Sequence, residues 1–256
     1  MKIVVLVKQV PDTWGDRKID RSTGRVDRSA GDSVIDEVGE RALEVALRYK
    51  DDHEAEVVVL TMGPAGAVDV LRKALAMGAD SAIHVLDDSL VGSDIYRTAE
   101  VLSAVLRRAG SDLVIAGNES TDGRGGVVPA MIAEHLRLPH ATFLNTVEIG
   151  PEVVRGERGT ESGAMAVHAD LPAVISVTER APEARFASFM GIRKARKKPL
   201  EVLAAGDLGV ATERPGGLSS VLSSAERPPR TGGRKIVDDG NAADELAKFL
   251  ADGHLI

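Results

Sequence analysis

A chain of 256 residues, 43 % hydrophobic and 28 % charged, has the composition of a soluble globular protein long enough to bury a substantial core. A formal charge of −7 argues against bulk nucleic-acid binding, and the lack of cysteine excludes disulfides, thiolate metal sites and cysteine nucleophiles. Aromatic residues make up only 3 %, which leaves the core to Val, Leu, Ile and Ala. The opening run "MKIVVLVKQVPD" is too short for a signal segment or a membrane span, so a cytoplasmic protein without membrane insertion is expected.

"KIVVLVKQV" is continuous and β-branched, the pattern of a buried parallel strand. The polar stretch "DRKIDRSTGRVDRSAGDS" reads as a long loop, with Asp32 or Ser33 placed to cap the next helix. That helix carries Ile35, Val38, Ala42, Val45, Ala46 and Tyr49 at helical spacing. "EVVVLTMG" is a second strand, and "AGAVDVLRKALAMG" a helix closed by Gly78. "SAIHVL", a helix over 93–109, and the strand "SDLVIAG" continue the alternation, and a further helix runs to about Leu138. Strands alternating with amphipathic helices predict an α/β fold with a mostly parallel sheet. After Pro139, "ATFLNTVEI", "PEVVRGER", "SGAMAVHADL" and "AVISVTE" read as short strands, with antiparallel hairpins extending the sheet. From Ala181 onward the chain is rich in Pro, Gly and Arg until "AADELAKFLADG". Two parts are therefore expected: an α/β domain over 1–180, and an extended partner-binding arm over 181–256 that ends in a short helix.

The stretch "GNESTDGRGGVVP", Gly117 to Pro129, is a glycine-rich turn between a strand and a helix. In open parallel sheets ligands bind beyond the carboxyl ends of the strands. Gly123, Gly125 and Gly126 allow close backbone approach, and a helix N-terminus offers free N–H groups to a phosphate. Arg124 adds charge, and Asp122 could accept bonds from backbone N–H groups or a sugar hydroxyl. The bland alternative is a turn that merely needs positive φ. The stretch is neither a Walker A loop nor GxGxxG.

"RKARKK", residues Arg193 to Lys198, is a basic run in an acidic chain. Phe186, Phe189 and Met190 precede it without periodicity, so apolar anchors stand beside charge, as at an interaction site. The alternative is that these residues pack back onto the domain. His84 and His168 sit within strand patterns as core or edge residues. Trp14 lies in the loop after the first strand. No Ser/His/Asp set, HExxH or paired-carboxylate motif is present, so no catalytic residue and no metal site is expected.

Several segments together resemble the β subunit of electron transfer flavoprotein: "VLVKQVPD", "ALEVALRYK", "TMGPAGAVDVLRKALAMGAD", "HLRLPHATF", "LPAVISVTE" and "RFASFMGIRKARKKPLEV". They occur in order over about residues 2–210. The resemblance implies an adenine-nucleotide α-hydrolase-like fold and a heterodimer with an α subunit that holds most of a redox-active FAD. It also implies one structural AMP in this chain. Electrons would come from acyl-CoA dehydrogenases, in fatty-acid β-oxidation, and pass to a quinone oxidoreductase at the membrane. The chain would be an electron carrier subunit and not an enzyme in its own right.

The family's AMP positions fall on Leu6, on Asp36, Glu37, Val38 and Gly39, and on Met62. They continue through Asp122, Gly123, Arg124, Gly125, Gly126, Val127, Val128, Pro129, Ala130, Met131, Ile132 and Ala133. Arg124 replaces an acid common in the family. The family's dehydrogenase anchor, a leucine, falls on Phe189, with Arg193, Lys194, Arg196, Lys197 and Lys198 as the docking charges beside it. Positions of flavin-approaching aromatics in some relatives fall on Thr13 and Val38, neither aromatic. Two other readings stand beside this one. One is a bifurcating relative with a second FAD in place of AMP. The other is a stand-alone ATP-binding module like the universal stress proteins, whose glycine pattern is absent after the fourth strand.

Overall fold

In the computed structural model the described residues are 1–15, 17–28, 31–210, 221–225, 227–229, 232–233 and 235–256. They form two compact units, Met1–Leu222 and Ser223–Ile256. In chain order the first unit contains β1 (Lys2–Leu6), β2 (Gln9–Pro11), β3 (Ile19–Asp20), β4 (Arg25–Val26), β5 (Ser33–Ile35), α1 (Glu37–Asp52), β6 (Glu56–Met62), α2 (Val68–Met77) and β7 (Ser81–Val85). It continues with α3 (Ile95–Ala109), β8 (Leu113–Gly117), α4 (Val128–Leu136), β9 (His140–Ile149), β10 (Val153–Thr160), β11 (Gly163–Asp170), β12 (Ala173–Val177), α5 (Phe189–Ala195) and β13 (Leu200–Leu203). The second unit holds α6 (Ala242–Asp252).

The apolar runs form one nine-stranded sheet in the order β11-β10-β9-β12-β8-β1-β6-β7-β13. Strands β9, β12, β8, β1, β6, β7 and β13 are parallel, and β10 and β11 add antiparallel pairs at one edge. Ile3, Val4 and Val5 of β1 are fully buried, which explains why the strand is apolar without alternation: both of its faces are covered. Ile3, Val5, Val57 and Val59 pack with Leu43 and Leu47 of α1 and Leu71 and Leu75 of α2. On the other face Val4, Val58, Leu60 and Val114 pack with Val101 and Leu102 of α3 and Ile132 and Ala133 of α4. The result is a three-layer α/β/α arrangement, the expected fold class.

The structure alters several details. Neither Asp32 nor Ser33 caps α1; residues 33–35 pair with β2, and Asp36 is the cap, its side chain accepting from the Val38 N–H. The loop after β1 contains the short β3–β4 pair. Strand β12 is not part of a hairpin: it inserts between β9 and β8, parallel to both.

The largest correction concerns the expected boundary at 180/181. Residues 181–203 belong to the first unit. Ala181 accepts a bond from Arg41 through its carbonyl at 2.6 Å. The Arg185 guanidinium is shared between Glu44 (Nε–Oε2 2.8 Å) and Asp51 (Nη2–Oδ2 2.7 Å), both on α1. Glu44 is buried, which pushes its pKa up, but the bonds from Arg185 and Arg48 outweigh burial and hold it low. β13 then closes the parallel edge beside β7, with the Pro199 carbonyl accepting from the Ala82 N–H at 3.0 Å. This segment is tied down by ion pairs and one short edge strand, features without apolar periodicity. The remainder of the expected arm falls partly outside the described residues (211–220). Helix α6 has no buried residue and leaves Leu246 and Phe249 exposed. Among the described residues no helix is long and apolar enough to cross a membrane.

Candidate functional site

From β1 the chain moves through β6 and β7 to one side, then returns to β8 on the other side of β1. The strand order therefore reverses between β1 and β8. In open α/β sheets the crevice at the carboxyl ends of such a pair is where ligands bind. The residues just beyond these two strands meet there. Lys8 Nζ donates to Ser120 Oγ (3.1 Å) and to Asp122 Oδ1 (2.6 Å). Arg28, from the loop after β4, donates to Asp122 Oδ2 through Nε at 2.9 Å and Nη2 at 2.8 Å. The Asp122 side chain is fully buried, while Lys8 and Arg28 are roughly half exposed. Burial alone would raise the Asp122 pKa, but the Lys8 bond and the two nearby positive charges bring it below the ordinary carboxylate value. Asp122 is thus not free to take a sugar hydroxyl, as the sequence suggested. Both of its oxygens are engaged by cations.

A second carboxylate braces the same turn. Asp36 Oδ2 accepts from the Thr121 N–H at 2.7 Å and the Thr121 hydroxyl at 3.2 Å, while Oδ1 caps α1. Burial pushes the Asp36 pKa up, opposed only in part by these bonds. Arg17 bonds the Thr121 carbonyl and hydroxyl and the Pro11 carbonyl. The loop that follows β1 therefore clamps the turn that follows β8.

Beyond this clamp the turn has two left-handed residues, Arg124 (φ 47°) and Gly126 (φ 68°). Helix α4 begins with Val127 at its cap position, Pro at its start and no side-chain cap. Its first-turn N–H groups and positive dipole end are thus left to an anion. Lys8, Arg17 and Arg28 gather on this turn with the carboxylates of Asp36 and Asp122, and Glu119 Oε2 lies 4.0 Å from where a Gly126 Cβ would stand.

The other carried-over positions fall into place unevenly. Leu6, Met62, Val128 and Met131 pack partly buried on the α3/α4 face of the sheet and could line a ligand. Ile132 and Ala133 are fully buried and Pro129 is buried too, so they hold the helix and offer no surface. Val38 is buried close to Gly117, where an added Cβ would come within 3.0 Å of Val38 Cγ1. Gly39 lies where a Cβ would be 3.6 Å from Val7 Cα, so it permits α1 to approach β1. Glu37 points outward to Arg41 at 3.1 Å. Gly123, Gly125 and Ala130 remain at the surface of the turn and helix start.

The apolar and basic segment expected to dock runs through α5 and just past its end. Phe186 is 99 % exposed and Phe189 82 %, so neither packs inward. Arg193, Lys194, Arg196 and Lys197 are exposed beside them. Lys198 is different. Its Nζ donates to the carbonyls of Leu75 and Ala79 at the end of α2, and burial lowers its pKa. It anchors the segment and is not a free docking charge. Gly191 is where α5 meets α2, since a Cβ there would sit 2.2 Å from the Ala76 carbonyl oxygen. His84 is buried with Nε2 3.1 Å from the Gly63 carbonyl, a structural role. His168 is exposed on β11, and Trp14 is 97 % exposed.

Sequence reasoning missed Lys8, Arg17, Arg28 and Thr121. Lys8 had one readable signal: a lone cation directly after a buried parallel strand. Arg17 and Arg28 lie in a charge-rich loop that marks out no single residue.

A crevice at a strand-order reversal, with cations on one side and an uncapped helix on the other, marks an open-sheet α/β protein of the class in which such crevices hold ligands. The family model for the electron transfer flavoprotein domain matches residues 23–208. An electron transfer flavoprotein subunit beta from Mycobacterium bovis is 46 % identical over 263 aligned positions, covering 99 % of each chain, and one from Mycobacterium leprae is 46 % identical with the same coverage. The caffeyl-CoA reductase-Etf complex subunit CarD of Acetobacterium woodii is 33 % identical over the full length of both chains. The chain belongs to the electron transfer flavoprotein family, as a β subunit.

Proposed function

We propose that this chain holds one structural AMP at the turn over 122–126 and pairs with an α subunit carrying FAD. The observation that supports it most directly is the cationic clamp, where Lys8 and Arg28 hold Asp122 and Arg17 holds Thr121 in the turn that leads into the uncapped start of α4. The phosphate would take the α4 N–H groups, Arg124 and the outer face of Lys8. Leu6, Met62 and Met131 offer an apolar surface for the base. FAD held by the α subunit would supply the electron-carrying chemistry, and this chain would act as a carrier subunit with no bond chemistry of its own. Its residues would stiffen the subunit around the nucleotide and present a docking surface to redox partners.

Exposed Phe189 with Arg193, Lys194, Arg196 and Lys197 suits brief contacts with acyl-CoA dehydrogenases, where charge steers encounter and an apolar knob sets register. The reduced complex would then deliver electrons to a quinone oxidoreductase, in the cytoplasm and at its membrane. The exposed apolar residues of α6 would cover part of the α subunit. The test is to co-purify the chain with its α partner, denature the complex and quantify the released nucleotides. One AMP and one FAD per heterodimer are expected. Two FAD and no AMP would identify the bifurcating type, and FAD alone would leave the crevice without this role.

A further inference from the structure

Asn118 follows β8 directly and is 8 % exposed. Its N–H donates to the Val177 carbonyl at 2.8 Å, so the ladder of β8 with β12 runs one residue past Gly117. Strand alternation then places its side chain on the same sheet face as Val114. That is the α3/α4 face, on which Leu6 and Met62 also lie, at the carboxyl ends of their strands. Asn118 Oδ1 is buried and has no hydrogen-bond partner among the described residues. A buried amide oxygen left unpaired is costly, and native proteins seldom keep one without a use.

The chemistry of that atom narrows its use. A side-chain carbonyl needs a donor. The phosphomonoester of a nucleotide, with a second pKa of about 6, is mostly a dianion at neutral pH and offers chiefly acceptors, and the turn has its own cations and N–H groups for it. A purine nucleotide carries donors in its sugar hydroxyls and its exocyclic amine. We propose that Asn118 is a specificity residue that accepts a hydrogen bond from the nucleoside part of the ligand, distinguishing a nucleotide from a bare phosphate. The inference rests on the AMP reading above and adds a residue outside the positions carried over from the family.

The test uses the heterodimer, stripped of AMP and titrated calorimetrically with four ligands: AMP, 2′-deoxy-AMP, 3′-deoxy-AMP and the analogue lacking the 6-amino group. In the wild type one analogue should bind about 10- to 100-fold more weakly than AMP, the range for one hydrogen bond to a buried partner. Which one it is tells sugar from base. In Asn118→Leu that gap should close and AMP should weaken to the level of the analogue. Asn118→Asp, which keeps acceptor oxygens, should retain the preference. Four ligands bound alike by the wild type, or an Asn118→Leu complex with an unchanged gap, would overturn the inference while leaving the AMP site intact. A wild-type complex that binds no AMP would remove the AMP reading and this inference with it. If Asn118→Leu fails to fold, the wild-type series and Asn118→Asp still decide.

Discussion

The Lys8 ammonium and the Asp122 carboxylate meet at 2.6 Å although 114 residues separate them in the chain. The pair joins the end of β1 to the turn after β8, the two strands between which the sheet order reverses. It is one of the contacts, with Arg28 on Asp122 and Arg17 and Asp36 on Thr121, that clamp this turn.

Replacing Asp122 with Asn should therefore destabilise the protein at neutral pH by about 1.5–3 kcal/mol, the range for hydrogen bonds to charged groups. The pH dependence has a definite sign. The folded Asp122 pKa lies below its ordinary value of 3.8, so its stabilisation is complete above that value and is lost as pH falls through the depressed folded value. Asparagine does not titrate. Denaturant melts of both proteins should show a gap that holds from neutral pH to about pH 4 and shrinks below it. A gap that stays constant into strong acid would refute the ion-pair account.

Gly126 has φ 68°, and an added Cβ would stand 3.4 Å from Phe143 Cζ. Gly126→Val should cost ~1–3 kcal/mol for a β-branched residue in the left-handed region, and nucleotide content should fall with it. Arg124, at φ 47°, offers the complementary experiment. Arg124→Gly relieves the backbone and removes only the charge, so the melting temperature should hold while nucleotide affinity drops. Loss of nucleotide from neither variant would separate the turn from ligand binding.

With Phe189 82 % exposed, Phe189→Ala should leave stability within about 0.5 kcal/mol of wild type. Electron transfer from an acyl-CoA dehydrogenase should slow about tenfold, the scale of an anchor contributing roughly 1.4 kcal/mol. Stopped-flow reduction of the heterodimer measures this directly. An unchanged rate would exclude the residue from docking.

Gly191→Ala has the opposite signature. Its Cβ would collide with the Ala76 carbonyl at 2.2 Å, and backbone cannot give way cheaply there. A loss of about 1–3 kcal/mol is expected as α5 lifts from α2, together with slower electron transfer because Phe189 moves with the helix. A melting temperature equal to wild type would show that α5 is not seated as described.

Much of this molecule is readable in its sequence because the signals are local. Continuous β-branched runs such as 2–6 and 57–60 mark strands buried on both faces, and the 3.6-residue spacing in α1 and α3 marks their apolar sides. The glycine turn was visible for the same reason: Gly126 signals positive φ through its own lack of a Cβ. The misplaced boundary at 181 shows where local signals end. Residues 181–203 are held by Arg185 on Glu44, by Lys198 on the end of α2, and by an edge strand of four residues. None of these leaves a periodic trace.

The sequence by itself determined the α/β class, the position of the glycine turn and the basic run beside Phe189, since each depends on neighbours within a few residues, whereas the exposure of Phe189 came from the structure. Tertiary structure alone decided that β12 inserts beside β8, that Asp36 rather than Asp32 or Ser33 caps α1, and that Lys8, Arg17 and Arg28 converge on Thr121 and Asp122. Charge interactions and buried hydrogen bonds act over a few ångströms in space whatever the separation in the chain. Only the folded sheet brings residues 8, 28 and 122 within that distance.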